Sequence, residues 1–274
     1  MKKKLGLILF LVLSLVLTAC GGAGNSSQSQ EPVASASPSA PASEAEAASS
    51  EAPAASGGEL IMATEAGFAP YEYYSGSDIV GVDVDIAKEI AAEMGKTLKV
   101  VDMEFGAIIP TVDAGKADFG AAGMSITEER KEQVDFTIEY ATSKQVIVVA
   151  KDSAIKGPAD LGGKTVGVQL GTTGDLVLAD EYPDVTLKQY NKFFDATNDL
   201  INKRIDAIVV DSLPAQEIVK TSENLVILDE ELLIDKYAFC VKKGNTELLD
   251  TINKVMQRLV DEGKIDEYTL SHSA

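Results

Sequence analysis

The sequence predicts an α/β protein with two lobes, each built on a sheet with parallel strands that helices cover. From Glu59 onward, short apolar strands alternate with amphipathic helices, which is the pattern of βαβ units. The pattern restarts after the apolar run at 144–150, and a similar run follows at 236–241. Two similar blocks joined by two extended strands favour two lobes with a double connection.

The boundaries of the lobes follow from where this pattern breaks. We assign 59–143 and 240–274 to lobe 1, and 147–235 to lobe 2. The hinge strands are then expected near 142–147 and 235–239. These two segments would absorb any rotation of one lobe against the other.

Lobe 1 begins with an apolar strand at 60–64, and Gly67 and Pro70 then indicate a loop over 65–71. Apolar residues at helical spacing predict a helix over 83–94 that Gly95 ends. The same reasoning gives strands at 98–101 and 118–121 and helices at 108–115, 245–261 and 263–269.

Lobe 2 shows the same order of elements. Strands are predicted at 165–168, 186–189, 206–210 and 225–228, and helices at 158–161, 171–182 and 193–202, with a further helix opened by Asp211. Cys240 lies in an apolar run, and we expect it to be a buried small side chain.

Residues 1–19 have the features of a secretory signal. Three lysines precede an apolar stretch that is too short to span a bilayer as a helix. The stretch ends in Leu17-Thr18-Ala19-Cys20-Gly21, which resembles the cleavage site of bacterial lipoproteins, although an ordinary small-residue site would also fit. We therefore expect an exported protein, anchored to the outer face of the cell membrane through acylated Cys20.

Residues 20–58 are predicted to form a disordered, lipid-anchored linker. After Cys20 they contain no Lys, Arg or aromatic residue, so they cannot bury enough apolar surface to offset the entropy lost on ordering. A flexible chain of this length has an r.m.s. reach on the order of 30–35 Å.

Several classes of function are disfavoured by composition. A net charge of −19 argues against a nucleic-acid partner, which requires basic patches. The single histidine, His272, lies in a polar tail, which argues against a Ser-His-Asp triad and a His-rich metal site. Gly162-Gly163-Lys164-Thr165 lacks the earlier glycine and the following helix of a phosphate loop. We expect no metal and no cofactor.

The most informative stretch is 118–130, a short apolar strand that passes through small residues into a polar helix start. Thr127 can cap this helix, and the planar fork of Arg130 can reach back over the same helix end. Free N–H groups beside a guanidinium suit a carboxylate. Alternatively, Arg130 is simply solvated on a surface helix.

Other polar or aromatic residues follow apolar strands at the edge where α/β sheets bind ligands. Asp211 could hold an ammonium group, and the backbone N–H groups near Ser125 and Thr172/Thr173 could help to hold a carboxylate. Asp211 and Thr173 are also good helix N-caps, and this could be their whole role. The candidate apolar walls, which could equally be core aromatics, are Phe68, Tyr71 and Phe105.

The sequence resembles the bacterial extracellular solute-binding proteins of family 3, the polar amino-acid receptors of ABC importers. The resemblance covers 59–270, and its most specific motif is Ala122-Gly123-Met124-Ser125-Ile126-Thr127-Glu128-Glu129-Arg130. Weaker matches are 65–71, 81–86, 105–110, 134–136, 171–173 and 209–211. The resemblance implies a periplasmic-binding-protein-like (type II) fold, with two mixed sheets flanked by helices and joined by two hinge strands.

The resemblance also implies roles for individual residues. Arg130 would pair with the ligand α-carboxylate, helped by the Ser125, Thr172 and Thr173 amides, and Asp211 with the Gly123 carbonyl would take the α-amino group. Phe68 and Phe105 would enclose the ligand side chain, and Glu65 and Gln169 would read its far end. Met124 belongs to the motif at 122–130, and Tyr71 is a candidate apolar wall. Both therefore join the predicted ligand-binding residues.

A substrate-binding lipoprotein of an ABC importer is therefore predicted. Its partners would be a free amino acid, membrane permease and ATPase subunits, and the lipid bilayer, with the protein itself a monomer. Glu65, Asp102 and Glu104 could place negative charge at the far end of the pocket, which favours arginine or lysine, although Asp102 and Glu104 could instead point to solvent.

Two other classes of function remain. A dehydratase of prephenate-like acids on the same fold would need a general acid in place of an ammonium-binding residue, and Asp211 argues against that. A ligand-sensing receptor would need an appended kinase or transmembrane domain, and we expect none after Ala274.

Overall fold

The computed structural model describes residues 57–273, so the predicted signal sequence, Cys20 and most of the predicted linker lie outside the described residues. The strands are β1 (Glu59–Thr64), β2 (Gly67–Phe68), β3 (Glu72–Ser75), β4 (Asp78–Val80), β5 (Thr97–Asp102), β6 (Phe119–Gly120), β7 (Val134–Phe136), β8 (Ala141–Ala150), β9 (Thr165–Gln169), β10 (Thr186–Tyr190), β11 (Ala207–Asp211), β12 (Leu225–Tyr237) and β13 (Cys240–Lys242).

The helices are α1 (Val82–Glu93), α2 (Ile108–Asp113), α3 (Glu128–Gln133), α4 (Thr173–Glu181), α5 (Phe193–Ile201), α6 (Ser212–Lys220), α7 (Thr246–Asp261) and α8 (Lys264–His272), with 3₁₀ turns at Phe105–Ala107 and Pro158–Asp160. Among these helices, none combines the length and the apolar character that a bilayer span requires.

His272, predicted to lie in a tail, is instead the last residue of α8, and its Nε2 lies 2.8 Å from a carboxylate oxygen of Asp85.

The first sheet contains parallel and antiparallel strands in the order β5-β1-β6-β13-β7. Strand β1 runs parallel to β5 and β6, whereas β13 runs antiparallel to β6 and β7. Backbone hydrogen bonds also join Gly57 to Gly95 and Thr97 to Gly58, beside the β1–β5 pair. Cys240 in β13 is completely buried, which confirms the prediction for this side chain.

The second sheet has the order β10-β9-β11-β8-β12. Strands β9, β10 and β11 are parallel, and β8 is antiparallel to β11 and β12. Every residue of β11 is buried, as expected for a central strand with helices on both faces. The predicted α/β class, with two mixed sheets flanked by helices, is confirmed.

Most of the two predicted hinge segments lies in β8 and β12, which are hydrogen-bonded to each other, whereas Ala238 and Phe239 fall between β12 and β13. In the antiparallel pair of β8 and β12, Thr142 lies opposite Lys236 and Ser143 lies opposite Asp235. The prediction of separate strands at 225–228 and 236–241 is wrong, because β12 runs continuously to Tyr237 through register shifts between Ile227 and Leu233. The acidic residues in the middle of β12 conceal the strand pattern, and the bulges allow it to bend.

A third, small antiparallel sheet is formed by β2, β3 and β4. The sequence analysis predicted only a loop over 65–71, where the structure has β2. The strands of this sheet have two to four residues and are too short to show a period. This sheet matters for the site, since it carries Phe68 and Glu72.

Candidate functional site

A cavity lies where the loops after β1, β5, β6 and β9 meet the end of β11. These are the carboxyl ends of strands in the two sheets, where ligands of open α/β sheets bind. Its lining residues are Glu65, Phe68, Glu72, Phe105, Ala122, Gly123, Ser125, Arg130, Gln169, Thr172, Thr173 and Asp211. The structure thus brings most of the predicted ligand-binding residues around a common space.

Two of the predicted residues, Tyr71 and Met124, do not line this cavity. Tyr71 is 2% exposed and lies behind Phe68, with ring centroids 5.9 Å apart, while Tyr237 meets it edge-on at 5.1 Å. Met124 is 1% exposed and packs in the core beside α2. Both side chains support the wall of the cavity from behind.

Arg130 lies in α3, and its buried side chain extends toward both sheets. Thr127 caps α3 as predicted, since its hydroxyl accepts a hydrogen bond from the Arg130 N–H at 3.2 Å. The Arg130 guanidinium donates to the Ser125 carbonyl at 2.6 Å and to the Gly171 carbonyl at 2.9 Å, and it lies 5.2 Å from the centroid of the Phe105 ring. The alternative of a solvated surface arginine is therefore wrong. Two of five guanidinium N–H groups are used, which leaves donors for an anion.

Asp211 ends β11 and occupies the N-cap position of α6, but its side chain makes no capping hydrogen bond. Its carboxylate instead accepts from the hydroxyl of Tyr237 and from Nε2 of Gln145, the latter at 2.8 Å. Burial raises the pKa of Asp211 to about 6, against the opposing effect of the Tyr237 hydrogen bond. The structure thus excludes a purely capping role, and a buried carboxylate on the cavity wall suits an ammonium group.

The N-terminus of α4 supplies backbone N–H groups beside Arg130. The N-cap of α4 is Thr172, whose hydroxyl accepts from the Asp175 N–H, and so Thr173 is not the cap. The Thr173 hydroxyl instead donates to Asp235 at 2.7 Å. This arrangement leaves the first turn of a nine-residue helix facing the cavity, where its dipole favours negative charge.

Sequence reasoning missed a buried network behind these residues. The Nε2 of Gln145 lies 2.8 Å from Asp211, 3.0 Å from Asp235 and 3.2 Å from the Thr173 hydroxyl. Gln145 and Asp235 come from β8 and β12, inside the predicted hinge segments. A polar residue within an apolar strand was the available signal, since buried polar groups require partners.

The loop at Gly123 is held by Asp83, which the sequence analysis did not assign to the site. Asp83 is completely buried and accepts hydrogen bonds from the Gly123 N–H at 3.1 Å and from the Tyr140 hydroxyl at 2.5 Å. Burial raises its pKa to about 6. Gly123 has φ +49°, and an added Cβ would lie 2.5 Å from the Phe68 ring, so this position requires glycine.

The far end of the cavity contains a buried carboxylate that has a cation beside it. Glu65 is 2% exposed, and Nζ of Lys192 lies 3.2 Å from its Oε1. Burial raises the pKa of Glu65, and the charge of Lys192 opposes this shift. Sequence reasoning did not identify Lys192, because it follows a short exposed strand in the other half of the chain.

The other two acidic residues predicted at this end, Asp102 and Glu104, are not part of the cavity lining. Asp102 accepts hydrogen bonds from the Ala66 N–H at 2.8 Å and from the Tyr74 hydroxyl at 3.1 Å. Glu104 accepts from the side chain of Asn191 at 2.7 Å. Asp102 thus lies beside the far end of the cavity, with its carboxylate 3.7 Å from Nζ of Lys192, whereas Glu104 is exposed at the rim, in agreement with the second alternative.

Glu72 is a further lining residue that sequence reasoning missed. It is 1% exposed, and burial raises its pKa well above the usual range, with the nearby Asp83 carboxylate acting in the same direction. Burial thus favours the protonated form of Glu72, which can donate a hydrogen bond. Across residues 57–273, no three His, Cys, Asp or Glu side chains are grouped closely enough to hold a metal ion.

The cavity therefore offers one buried guanidinium and a helix N-terminus for an anion, and Asp211 for a cation. Phe68 and Phe105 provide apolar walls, and Glu65 lies at the opposite end. These features fit a small zwitterion with an extended side chain, since each charged end would meet a group of opposite sign.

Comparison with known proteins places these features in a family. The profile of the "Bacterial extracellular solute-binding proteins, family 3" matches residues 60–272. The chain is 35% identical to "Arginine-binding extracellular protein ArtP" of Bacillus subtilis over 80% of this chain and 88% of that protein. It is 30% identical to "ABC transporter arginine-binding protein 1" of Escherichia coli over 79% of this chain and 91% of that protein.

A solved structure has the same architecture. The structure of holo ArgBP from T. maritima superimposes with a TM-score of 0.71 at 42% sequence identity, covering 74% of this chain and 90% of that one. This similarity confirms the predicted periplasmic-binding-protein-like fold. The relatives bind solutes for transport and are not enzymes, so the dehydratase alternative is not supported.

The pKa values of Asp83 and Asp211 predict how the stability of the unliganded protein depends on pH. Both folded-state values of about 6 lie above the ordinary value of 3.8, so the folded chain binds these protons more tightly than the unfolded chain. The resulting stability is present below about pH 4 and is lost as the pH rises through about 6, by up to ~3 kcal/mol for each carboxyl.

Asp211→Asn removes one of these groups, so the free energy of unfolding should fall less steeply between pH 4 and pH 7 than it does in the wild type. Urea denaturation at pH 4, 5, 6 and 7 measures this difference. The exposed Asp184→Asn variant is the matched control and should keep the wild-type slope. Parallel curves for Asp211→Asn and the wild type would contradict the prediction.

Proposed function

Since the chain belongs to the bacterial extracellular solute-binding proteins of family 3, we propose that it captures one free cationic amino acid, arginine or lysine, for an ABC importer. The observation that carries this proposal is the common cavity that Arg130, Asp211 and Glu65 line. Arg130 and Asp211 match the carboxylate and the ammonium group of an α-amino acid. Glu65, at the far end of the cavity, matches a second positive charge on the side chain. The closed protein would then deliver the amino acid to a membrane permease that an ATPase drives.

In this proposal, Arg130 and the first N–H groups of α4 hold the α-carboxylate. The buried guanidinium keeps its charge because its pKa is far above neutral even though burial lowers it, and Asp235 acts against that lowering. Asp211 and the Gly123 carbonyl receive the α-ammonium group. A bidentate contact to a carboxylate in a site without water is stronger than the same contact at the surface.

The choice of a cationic side chain rests on Glu65 and on the relatives. The buried Glu65 carboxylate requires a partner of positive charge, and the cation of a ligand can take this place beside Lys192, whose side chain is partly exposed. Several relatives are named as arginine-binding proteins, in agreement with this charge. Gln169, which also lines the cavity, can supply a neutral hydrogen bond at the same end.

Capture works by population shift. The residues that would hold the ligand come from strands of both sheets, so a bound amino acid contacts both halves only when they are closed together. The ligand favours the closed state by the difference between its affinities for the closed and the open state. The hydrogen-bonded strands β8 and β12 would carry the rotation, with the protein acting as a monomer.

A thermal-shift screen of the twenty amino acids tests the choice of ligand. Arginine or lysine at about 1,000 times its Kd should stabilise the protein by ~4 kcal/mol, which raises Tm by roughly 8–16 °C for a domain of this size. Agmatine, which lacks the carboxylate, should give a much smaller shift because Arg130 has nothing to hold. Stabilisation by glutamate alone, or by neutral amino acids alone, would refute the cationic assignment.

Arg130→Ala should abolish tight binding without unfolding the protein. Loss of one partner from a buried charge pair weakens binding by about 2–5 kcal/mol, so Kd should rise by roughly 30- to 4,000-fold in calorimetric titrations. Arg130→Lys should recover only part of this loss, because an ammonium group lacks the planar fork. The control is Arg204→Ala, since the Arg204 side chain is 68% exposed in an ion pair with Asp199. Near-native affinity in Arg130→Ala would rule out its proposed role.

The export address is a separate part of the proposal. The lipoprotein-like Leu17–Gly21 segment supports cleavage before Cys20, acylation of this cysteine and attachment to the outer face of the cell membrane. Wild-type protein should fractionate with membranes and incorporate an alkyne-labelled fatty acid, whereas Cys20→Ala should do neither. Equal labelling of the two proteins would remove the anchor from the proposal. Calorimetry on a chain that starts at residue 57 tests binding independently of it.

A further inference from the structure

Lys192 lies at the far end of the cavity but belongs to the opposite half of the molecule from its partners. It follows β10 and immediately precedes α5, and its side chain is 41% exposed. Its Nζ lies 3.2 Å from Glu65 and 3.7 Å from Asp102, which follow β1 and end β5 in the first sheet. A cation of the protein itself is therefore placed on the carboxylate that the proposed ligand would use.

The neighbouring residue holds Lys192 in this position. The Asn191 side chain donates to Glu104 at 2.7 Å, and the Asn191 carbonyl accepts from Nε2 of Gln169 at 2.8 Å. Two hydrogen bonds of Asn191, one to Glu104 and one from Gln169, thus fix the backbone next to Lys192. The position of the ammonium beside Glu65 follows from this fixed backbone rather than from the flexible side chain alone.

We infer that Lys192 competes with the distal cation of the ligand for Glu65, and that this competition sets how strongly the cleft prefers cationic over neutral amino acids. The inference rests on the proposed function. With a neutral ligand, Lys192 remains on Glu65 and neutralises it. With a cationic ligand, two positive charges share one carboxylate, and Lys192 moves toward Asp102 and solvent.

Three features of the site support this exchange. Glu65 is buried, so its charge must be compensated whether or not a ligand is present. The Lys192 side chain is partly exposed, so its ammonium can be hydrated as soon as it leaves Glu65. Asp102 lies within 3.7 Å and gives the displaced ammonium a second partner. Lys192 is therefore a specificity-determining residue that acts through Glu65.

Arginine and citrulline test the inference, because they have nearly the same shape and differ in the charge of the distal group. The quantity to measure by calorimetry is the ratio of the citrulline Kd to the arginine Kd. Lys192→Met keeps the aliphatic stem and removes the charge. This ratio should then rise about tenfold, which is the effect of a unit charge at this distance when water screens it, because the Lys192 side chain is 41% exposed. Lys192→Arg keeps the charge and should keep the wild-type ratio.

A double-mutant cycle tests whether Lys192 changes the ratio of the two Kd values through Glu65. In a Glu65→Gln background the carboxylate is absent, so adding Lys192→Met should no longer change the ratio. Thermal melts of each variant confirm that it is folded. Loss of an inter-sheet contact alone would weaken both ligands by the same factor, and such a result would overturn the inference.

The outcomes also separate this inference from the proposed function. If the wild-type protein binds none of arginine, lysine and citrulline, the proposed function and the inference both fail. If it binds arginine but the ratio is unchanged in Lys192→Met, the inference alone fails. A tenfold rise that depends on Glu65 supports both.

Discussion

The buried guanidinium of Arg130 is the constraint on which the site depends. A buried charge requires hydrogen-bond acceptors, and Arg130 finds them in the carbonyls of Ser125 and Gly171. These carbonyls belong to loops of different sheets, one after β6 and one after β9. The contacts that satisfy the guanidinium therefore also bring the N-terminus of α4 next to it, and together they form the anion-binding end of the cavity.

Acidic side chains around the cavity have different tasks because their surroundings differ. Asp211 faces the cavity and is held by Tyr237 and Gln145, so it can receive an ammonium group. Asp83 supports the Gly123 loop, and burial raises the pKa of Glu72. Counting carboxylates in the sequence could not separate these roles, since only the contacts of each group decide whether it carries a charge.

Some parts of the fold and site could be predicted because their signals are local. Apolar runs and glycine stops indicated most of the helices and strands, and Thr127 followed by Arg130 indicated a capped helix start with a cation. The partners of Gln145, Asp235 and Lys192 could not be predicted, since they lie between about 30 and 130 positions away in the chain. The sheet of β2, β3 and β4 was missed because its strands are shorter than the window that reveals a period.

The pairing of β8 with β12 limits the motions that the two connections between the sheets can make. Thr142 and Lys236 lie side by side in one antiparallel ladder, so neither strand can bend without carrying the other. Sliding one strand past the other would break the hydrogen bonds of the ladder, whereas a shared twist would keep them. Any rotation of one sheet against the other would therefore twist both strands together, and an irregularity introduced into either strand would alter the direction of that twist.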